Sequence, residues 1–149
     1  MRIRDANDRE APALEALQRR SSDIWEQYRD QLAAHPNAIE LPQEFIDNGW
    51  VRVATVDDDT PIGFSVVIPT DSEADELDGL FVEPDHMHQG VGRALIEDAV
   101  ARTRAHGRAC LDVTAGPAQG FYERTGFHLI GDAETRFGPA VRMRRNIGG

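Results

Sequence analysis

The chain of 149 residues has a single cysteine, Cys110, so no disulfide can close within it. Cys110 sits in Ala109-Cys110-Leu111-Asp112-Val113, which alternates as a strand does, and no histidine–carboxylate set accompanies it. A small buried apolar residue is the expectation, against a nucleophile. Long apolar runs are missing too: none nears the roughly 18 residues that span a bilayer. The start, Met1-Arg2-Ile3-Arg4-Asp5, carries charge but no apolar signal segment behind it. No membrane association and a cytoplasmic location are therefore expected. Positive charge is scarce, with a net charge of −10. That disfavours nucleic acid, which needs a basic face. It weakly favours cationic partners through long-range steering, although acidity that merely aids solubility explains the same number. The triplet Asp57-Asp58-Asp59 lacks the alternate-position ligands and loop glycine of a calcium-binding EF-hand and reads as a hairpin turn. His86 and His88 read as solvated turn residues, so no metal is expected.

What is present suits one domain over residues 1–149, with 40% hydrophobic and 28% charged residues. Residues 2–4 form a first strand candidate. Asn7 or Asp8 caps a helix, with Asn7 and Glu10 at capping-box spacing and Leu14 and Leu17 on its apolar face. Ser21-Ser22-Asp23 breaks the pattern and recaps a second helix with Ile24, Tyr28 and Leu32 in register and Trp25 beside them. A proline-bounded loop (35–42), a short helix (42–47) ending near Gly49, and strands over 50–56 and 62–68 follow, the latter apolar enough to be buried on both faces. After an acidic loop come a strand (76–82), a turn, a helix with Leu95, Ile96, Ala99, Val100 and Thr103 on one face and Gly107 at its end, and a strand (109–114). A short helix through Tyr122 stopped by Gly126, a strand (127–130) and a last strand (139–146) close the chain. The order is a mixed α/β (α+β) pattern around one sheet. The final arginines, Arg142, Arg144 and Arg145, alternate with Val141 and Met143 as on a strand with one solvated face.

The chain is organised around residues 76–107. Gly90 and Gly92 precede and open a helix, whose first amides have no partner within it and whose dipole puts partial positive charge there. Glycine lets a bulky phosphate approach the backbone, so this corner is expected to hold a diphosphate. Two familiar loops fail on spacing. The third glycine of a dinucleotide fingerprint would fall on Leu95, and the Gly-Lys-Ser/Thr of a Walker A loop is missing.

Two motifs resemble those of the GNAT superfamily of acyl-CoA N-acyltransferases. Leu80-Phe81-Val82-Glu83-Pro84 followed by Gln89-Gly90-Val91-Gly92-Arg93-Ala94-Leu95 is similar to the family's pyrophosphate loop. Phe121-Tyr122-Glu123-Arg124-Thr125-Gly126-Phe127 resembles its Phe-Tyr-x-x-x-Gly-Phe helix and turn. About a third of the chain carries the likeness, and the element order fits throughout. The sequence departs from the family at Met87, where Arg or Gln is usual, at Ala115, where many members have asparagine, and at Gly120, where alanine is common.

The resemblance implies a mostly antiparallel, six- to seven-stranded mixed sheet with a splayed central strand pair and about four flanking helices. It implies acetyl-CoA as co-substrate, an amine acceptor that is a small molecule or a peptide, and a homodimer built through late strands. It also implies direct attack by the amine on the thioester; the alternative is a non-catalytic acyl-CoA-binding module of the same fold. For the cofactor, Leu80, Phe81, Val82, His88, Gln89, Gly90, Val91, Gly92, Arg93, Ala94 and Phe121 are the implied residues, with Arg124 within reach of its phosphates. An alkyl ammonium has a pKa near 10, so the reaction needs a proton acceptor, a polarised carbonyl and a proton for the thiolate. Glu76 and Asp78, two apart on a strand and so on one face, are the carboxylate candidates for the first need. The plain alternative is a pair of strand-end carboxylates. An amide at 80–82 freed by a bulge near Gly79 would serve the second, and Tyr122 resembles the general acid that serves the third. Trp25 and Tyr28 are candidates for lining the acceptor pocket, against simple core packing.

Overall fold

A computed structural model describes residues 1–22, 40–135 and 138–147. Among them are seven strands: β1 (Arg2–Asp5), β2 (Val51–Val56), β3 (Thr60–Ile68), β4 (Ala74–Val82), β5 (Cys110–Ala115), β6 (His128–Thr135) and β7 (Gly138–Asn146). Four α-helices are present among the same residues: α1 (Ala11–Ser22), α2 (Gln43–Asp47), α3 (Val91–Ala105) and α4 (Gln119–Arg124). The hydrogen-bonded strand order is β1-β2-β3-β4-β5-β7-β6. The pairs β1–β2, β2–β3, β5–β7 and β6–β7 are antiparallel, and β4–β5 is parallel. This is the mixed, mostly antiparallel sheet that the family resemblance implies. The second helix expected around Ile24 to Leu32 lies outside the described residues.

The chain divides into two compact units, Met1–Val66 with Gly79–Leu95, and Val67–Asp78 with Ile96–Gly149. In the first unit, Arg4 grips both carboxylate oxygens of Glu10 at 2.9 and 2.7 Å and reaches Asp59 in the β2–β3 turn at 2.9 Å. Asp57 and Asp59 take positive φ there, a conformation that aspartate tolerates better than most residues. The Asn7 amide donates to Glu10 at 3.0 Å, as capping-box spacing predicts, but α1 starts only at Ala11. Of the break expected at Ser21-Ser22-Asp23, Asp23 lies outside the described residues. Both serines stay in α1, because Ser21 is buried and its hydroxyl accepts the Val82 amide at 3.4 Å, an interaction between distant segments.

The apolar centre of this unit is Ala54, Ile62, Val82, Val91 and Leu95, with Ile3, Val56, Leu80 and Met87 packed on it. Gly63 is the tight point. A Cβ there would stand 3.0 Å from the Phe81 carbonyl oxygen, 3.1 Å from Val91 Cγ1 and 3.2 Å from Leu95 Cδ1. The missing side chain is what lets the first turn of α3 close on β3.

In the second unit, β4 and β5 pair from Ala74↔Cys110 to Leu77↔Val113, and the register stops there although β4 runs on to Val82. β5 then pairs with β7 over its whole length. Leu77, Ile96, Ala99, Leu111 and Met143 are buried here, and so is Cys110, a free thiol pushed up mainly by burial, in keeping with an inert apolar role. α3 ends in a Schellman motif: Arg108 N–H donates to Thr103 O at 3.2 Å and Gly107 N–H to Arg104 O at 3.0 Å, with Gly107 at φ +74°. β6 extends five residues past the predicted end at Ile130. Its partner supplies the extension: β7 pairs with it as far as Thr135↔Gly138.

Gly63→Val is expected to destabilise the protein by about 1–3 kcal/mol, because the added branches overpack a contact between backbone and helix. Urea unfolding measures it, and an unchanged midpoint would show that α3 can move away at no cost.

Candidate active site

The first unit carries the glycine corner. A 3₁₀ turn over Pro84–His86 leads out of β4, and Glu83 is fixed at its entrance, its amide donating to Ile62 O at 2.8 Å and its carboxylate accepting from Arg20 at 2.6 and 2.8 Å. His88 and Gly90 take φ of +63° and +85°, which turns the chain sharply into α3. Ala94 N–H to Gly90 O, at 3.0 Å, is the first bond of the helix. The amides before it have no carbonyl one turn back within the helix, so the 15-residue α3 presents its positive end to this loop. His88, Gln89, Gly90 and Arg93 are exposed, Gly92 and Ala94 are half-buried, and Val91 is buried as the anchor. A Cβ at Gly90 would meet nothing within 4 Å, so the space over the turn is open on that side. Met87, the departure from the family pattern, packs on the apolar cluster rather than facing this turn.

On β4 of this unit, Leu80 and Phe81 are half-buried and Val82 is buried. The Phe81 ring lies against Phe64 with centroids 5.2 Å apart. Gly79 has a role that sequence reading assigned to a bulge: a Cβ there would sit 2.7 Å from Phe81 Cε2, so glycine makes room for the ring. The Val82 amide is taken by a side chain, Ser21, rather than by a strand.

The second unit holds the other candidates. Glu76 accepts two bonds from one guanidinium, Arg142 Nη1 to Oε2 at 2.8 Å and Nη2 to Oε1 at 2.9 Å. Arg142 Nη1 also donates to Thr114 Oγ1 at 2.7 Å. Beside this pair, Arg144 holds the buried Asp112 at 2.7 and 3.0 Å and reaches Glu73 at 3.1 Å. Asp78, the next residue on the Glu76 face, is exposed, and among the described residues it takes no hydrogen bond or ion pair. Its carboxyl is nevertheless pushed up, first by the protein around it and second by the Glu76 charge.

Tyr122 is buried in α4, edge-on to Phe121 at 5.2 Å and to Phe127 at 5.4 Å. The turn after it is tied by Phe127 N–H to Tyr122 O at 3.0 Å, with Gly126 at φ +97°. Gly120 leaves room for Arg124, whose Nη1 would lie 3.2 Å from a Cβ there. Ala115 is buried at the end of β5. Trp25 and Tyr28 lie outside the described residues. Among the described residues no group of three or more His, Cys, Asp or Glu side chains is arranged to hold a metal.

The family model described as Acetyltransferase (GNAT) domain matches residues 47–129, more than half of the chain. The chain belongs to the GNAT family of acetyltransferases. It is an acetyl-CoA-dependent N-acetyltransferase, with acetyl-CoA as co-substrate. Peptidyl-lysine N-acetyltransferase YjaB of Salmonella typhimurium is 32% identical to it over 133 residues, covering 89% of this chain and 86% of the relative. YjaB of Escherichia coli is 28% identical over 137 residues, covering 89% and 85%. The PaiA N-acetyltransferase of Thermoplasma acidophilum, solved with coenzyme A, shares the fold at a TM-score of 0.76 and 20% identity, covering 97% of this chain and 98% of that one. The GNAT corner fits its co-substrate on its own terms: an open turn, an exposed glycine and the positive end of a long helix suit a diphosphate.

Sequence reading of this GNAT enzyme missed Arg142, Thr114 and Ser21 as parts of the candidate surroundings. The arginines of β7 were legible as a solvated stripe, but their carboxylate partners sit on strands 30 to 70 residues earlier. His106, just past the end of α3, pairs with the buried Asp75 at 2.6 Å.

Arg144→Met is expected to cost about 2 kcal/mol, because it leaves the Asp112 carboxylate buried without its fork; the loss falls short of a fully buried pair since Arg144 is partly solvated and Arg142 remains 3.8 Å away. Chemical denaturation of the single variant and of Arg144→Met with Asp112→Asn measures the coupling, and additive losses would contradict it.

Proposed function

We propose that this GNAT enzyme transfers the acetyl group to the side-chain amine of lysine in peptides or proteins. The observation that carries the proposal is the match, over 89% of the chain, to a relative named as a peptidyl-lysine N-acetyltransferase at 32% identity. The net charge of −10 suits a cationic acceptor. All 16 cationic side chains of the protein are arginine, so none of its own side chains competes as an acceptor.

In this reading the diphosphate of the co-substrate lies on the loop from His88 to Ala94, and its pantetheine arm runs beside Leu80, Phe81 and Val82. The open space over Gly90 and the dipole of α3 support that assignment. Tyr122 donates the proton that the departing thiolate needs. Its burial between Phe121 and Phe127 supports a fixed orientation for the phenol. A carboxylate on β4 accepts the proton that the ammonium must lose. We further place the protein in the cytoplasm as a single domain that pairs as a homodimer. No described helix is long and apolar enough to cross a membrane.

Incubation with acetyl-CoA and a panel of lysine peptides, small amines and free polyamines, read by product mass, tests the acceptor. Acetyl-lysine peptides are the expected product, and turnover confined to small amines would sink the peptide reading. Binding of acetyl-CoA with no turnover on any amine would return the chain to a binding module. Tyr122→Phe is expected to lower kcat by roughly 10²-fold while calorimetric affinity for acetyl-CoA stays within about twofold. Unaltered kcat would remove Tyr122 from proton transfer.

A further inference from the structure

We infer that Asp78, rather than Glu76, takes the proton from the acceptor ammonium, and that Arg142 is a positioning residue that withdraws Glu76 from that work. The inference rests on the amine-acetylating reading above and names its proton acceptor.

The argument is one of occupied and unoccupied lone pairs. β4, β5 and β7 carry an alternating ladder of charges on one face of the second unit. Glu76 lies beside Asp112, and Asp112 beside Arg144; one pair further along, Thr114 lies beside Arg142. Arg144 bridges Asp112 and Glu73, and Arg142 forks both oxygens of Glu76 while donating to Thr114. A carboxylate held by both prongs of a guanidinium has its in-plane lone pairs engaged and its charge compensated. It can accept a further proton only by giving up that fork. Arg142 is itself held in place by Thr114, with Asp112 3.8 Å away, so the fork does not swing aside freely.

Asp78 stands two residues along the same face, past the last registered β4–β5 pair at Leu77↔Val113. Its carboxylate is exposed, and no described residue bonds it. Among the described residues, the titratable and charged groups on this face of the unit are Glu73, Glu76, Asp112, Arg142, Arg144 and, across from Arg144 on β6, His128, and β3, the other neighbour of β4, has no titratable residue from Thr60 to Ile68. Of these, Glu76 is the charge that bears on Asp78: burial first and the Glu76 charge second raise its carboxyl from the ordinary value. A carboxyl so raised is a stronger base toward an ammonium proton.

The step balances. An ammonium N–H bond breaks and its proton passes to the Asp78 carboxylate. The nitrogen lone pair forms the C–N bond to the acetyl carbonyl carbon, the C–S bond breaks, and sulfur leaves with the electron pair and takes the Tyr122 phenol proton; the nitrogen, cationic after attack, gives up a second N–H proton, which restores the Tyr122 phenol through solvent. Asp78 returns its proton to water.

The test compares Asp78→Asn, Glu76→Gln, Arg142→Gln and Arg142→Lys with the wild type, using acetyl-CoA and whichever amine the panel accepts. Each variant is checked for fold by circular dichroism and for acetyl-CoA affinity by calorimetry. Asp78→Asn is expected to lower kcat/KM by roughly 10²-fold or more and to remove the acid limb of its pH profile. Glu76→Gln is expected to cost no more than about tenfold and to move that limb to lower pH, since it removes a like charge and leaves Arg142 uncompensated. Arg142→Gln frees the Glu76 charge and moves the limb to higher pH; Arg142→Lys, which keeps the charge but not the fork, moves it less. Opposite shifts for the Glu76 and Arg142 variants are a readout that loss of structure alone would not give. A loss of 10²-fold in Glu76→Gln with Asp78→Asn near wild type would overturn the inference, and so would limbs that do not move. A wild type that accepts small amines but no lysine peptide ends the acceptor proposal alone, and the same comparison then runs on that amine. A wild type with no turnover on any amine ends both.

Discussion

Two arginines of β7 fix the electrostatics of the second unit. Asp112 is almost fully buried on β5, and a carboxylate so placed is tolerable only with a fork of donors against it. Arg144 supplies the fork from the neighbouring strand, and Arg142 does the same for Glu76. Once β5 and β7 are in register these pairs have no freedom: Asp112↔Arg144 and Thr114↔Arg142 are direct cross-strand partners. The carboxylates of β4 and β5 are thereby sorted into those that are neutralised and one, Asp78, that is not. A ladder that would look like surface decoration in a count of ion pairs thus decides which of these carboxylates is held by a guanidinium.

The first unit depends on a different constraint, the room left by absent side chains. Gly63 admits the first turn of α3 against β3 and the Phe81 carbonyl, and Gly90 makes the left-handed turn that aims the helix. Between them, Val91 and Leu95 are buried as anchors, and Met87 adds its side chain to the same cluster. The family's usual polar residue before the glycines is thus replaced by one that tightens the core under the loop. Backbone amides and the helix dipole remain as the binding features, and neither depends on the identity of residue 87.

Membership of the GNAT family joins these two features to one reaction. An anion-binding turn suits the diphosphate of the co-substrate, and unequal carboxylates suit an acceptor that arrives protonated. The acidic chain with only arginine among its cations adds a consistent detail, since an N-acetyltransferase without lysine offers no side-chain amine of its own.

The sequence by itself determined the element order, the helix stop at Gly107, the buried stripe of α3, and the family, because glycine placement and apolar spacing are local properties of the chain. It also pointed to the corner at residues 88–94 and to the carboxylates at 76 and 78. It placed the end of β6 too early, and it did not show the partners of Ser21 and Gly79, because distant segments supply them: a strand amide for Ser21, β7 for β6, the Phe81 ring for Gly79. The tertiary structure alone decided that Glu76 is forked by a residue 66 positions later while Asp78 is left open. Charges of opposite sign meet only when strand order and register bring them side by side, and neither is written in the spacing of residues along one strand.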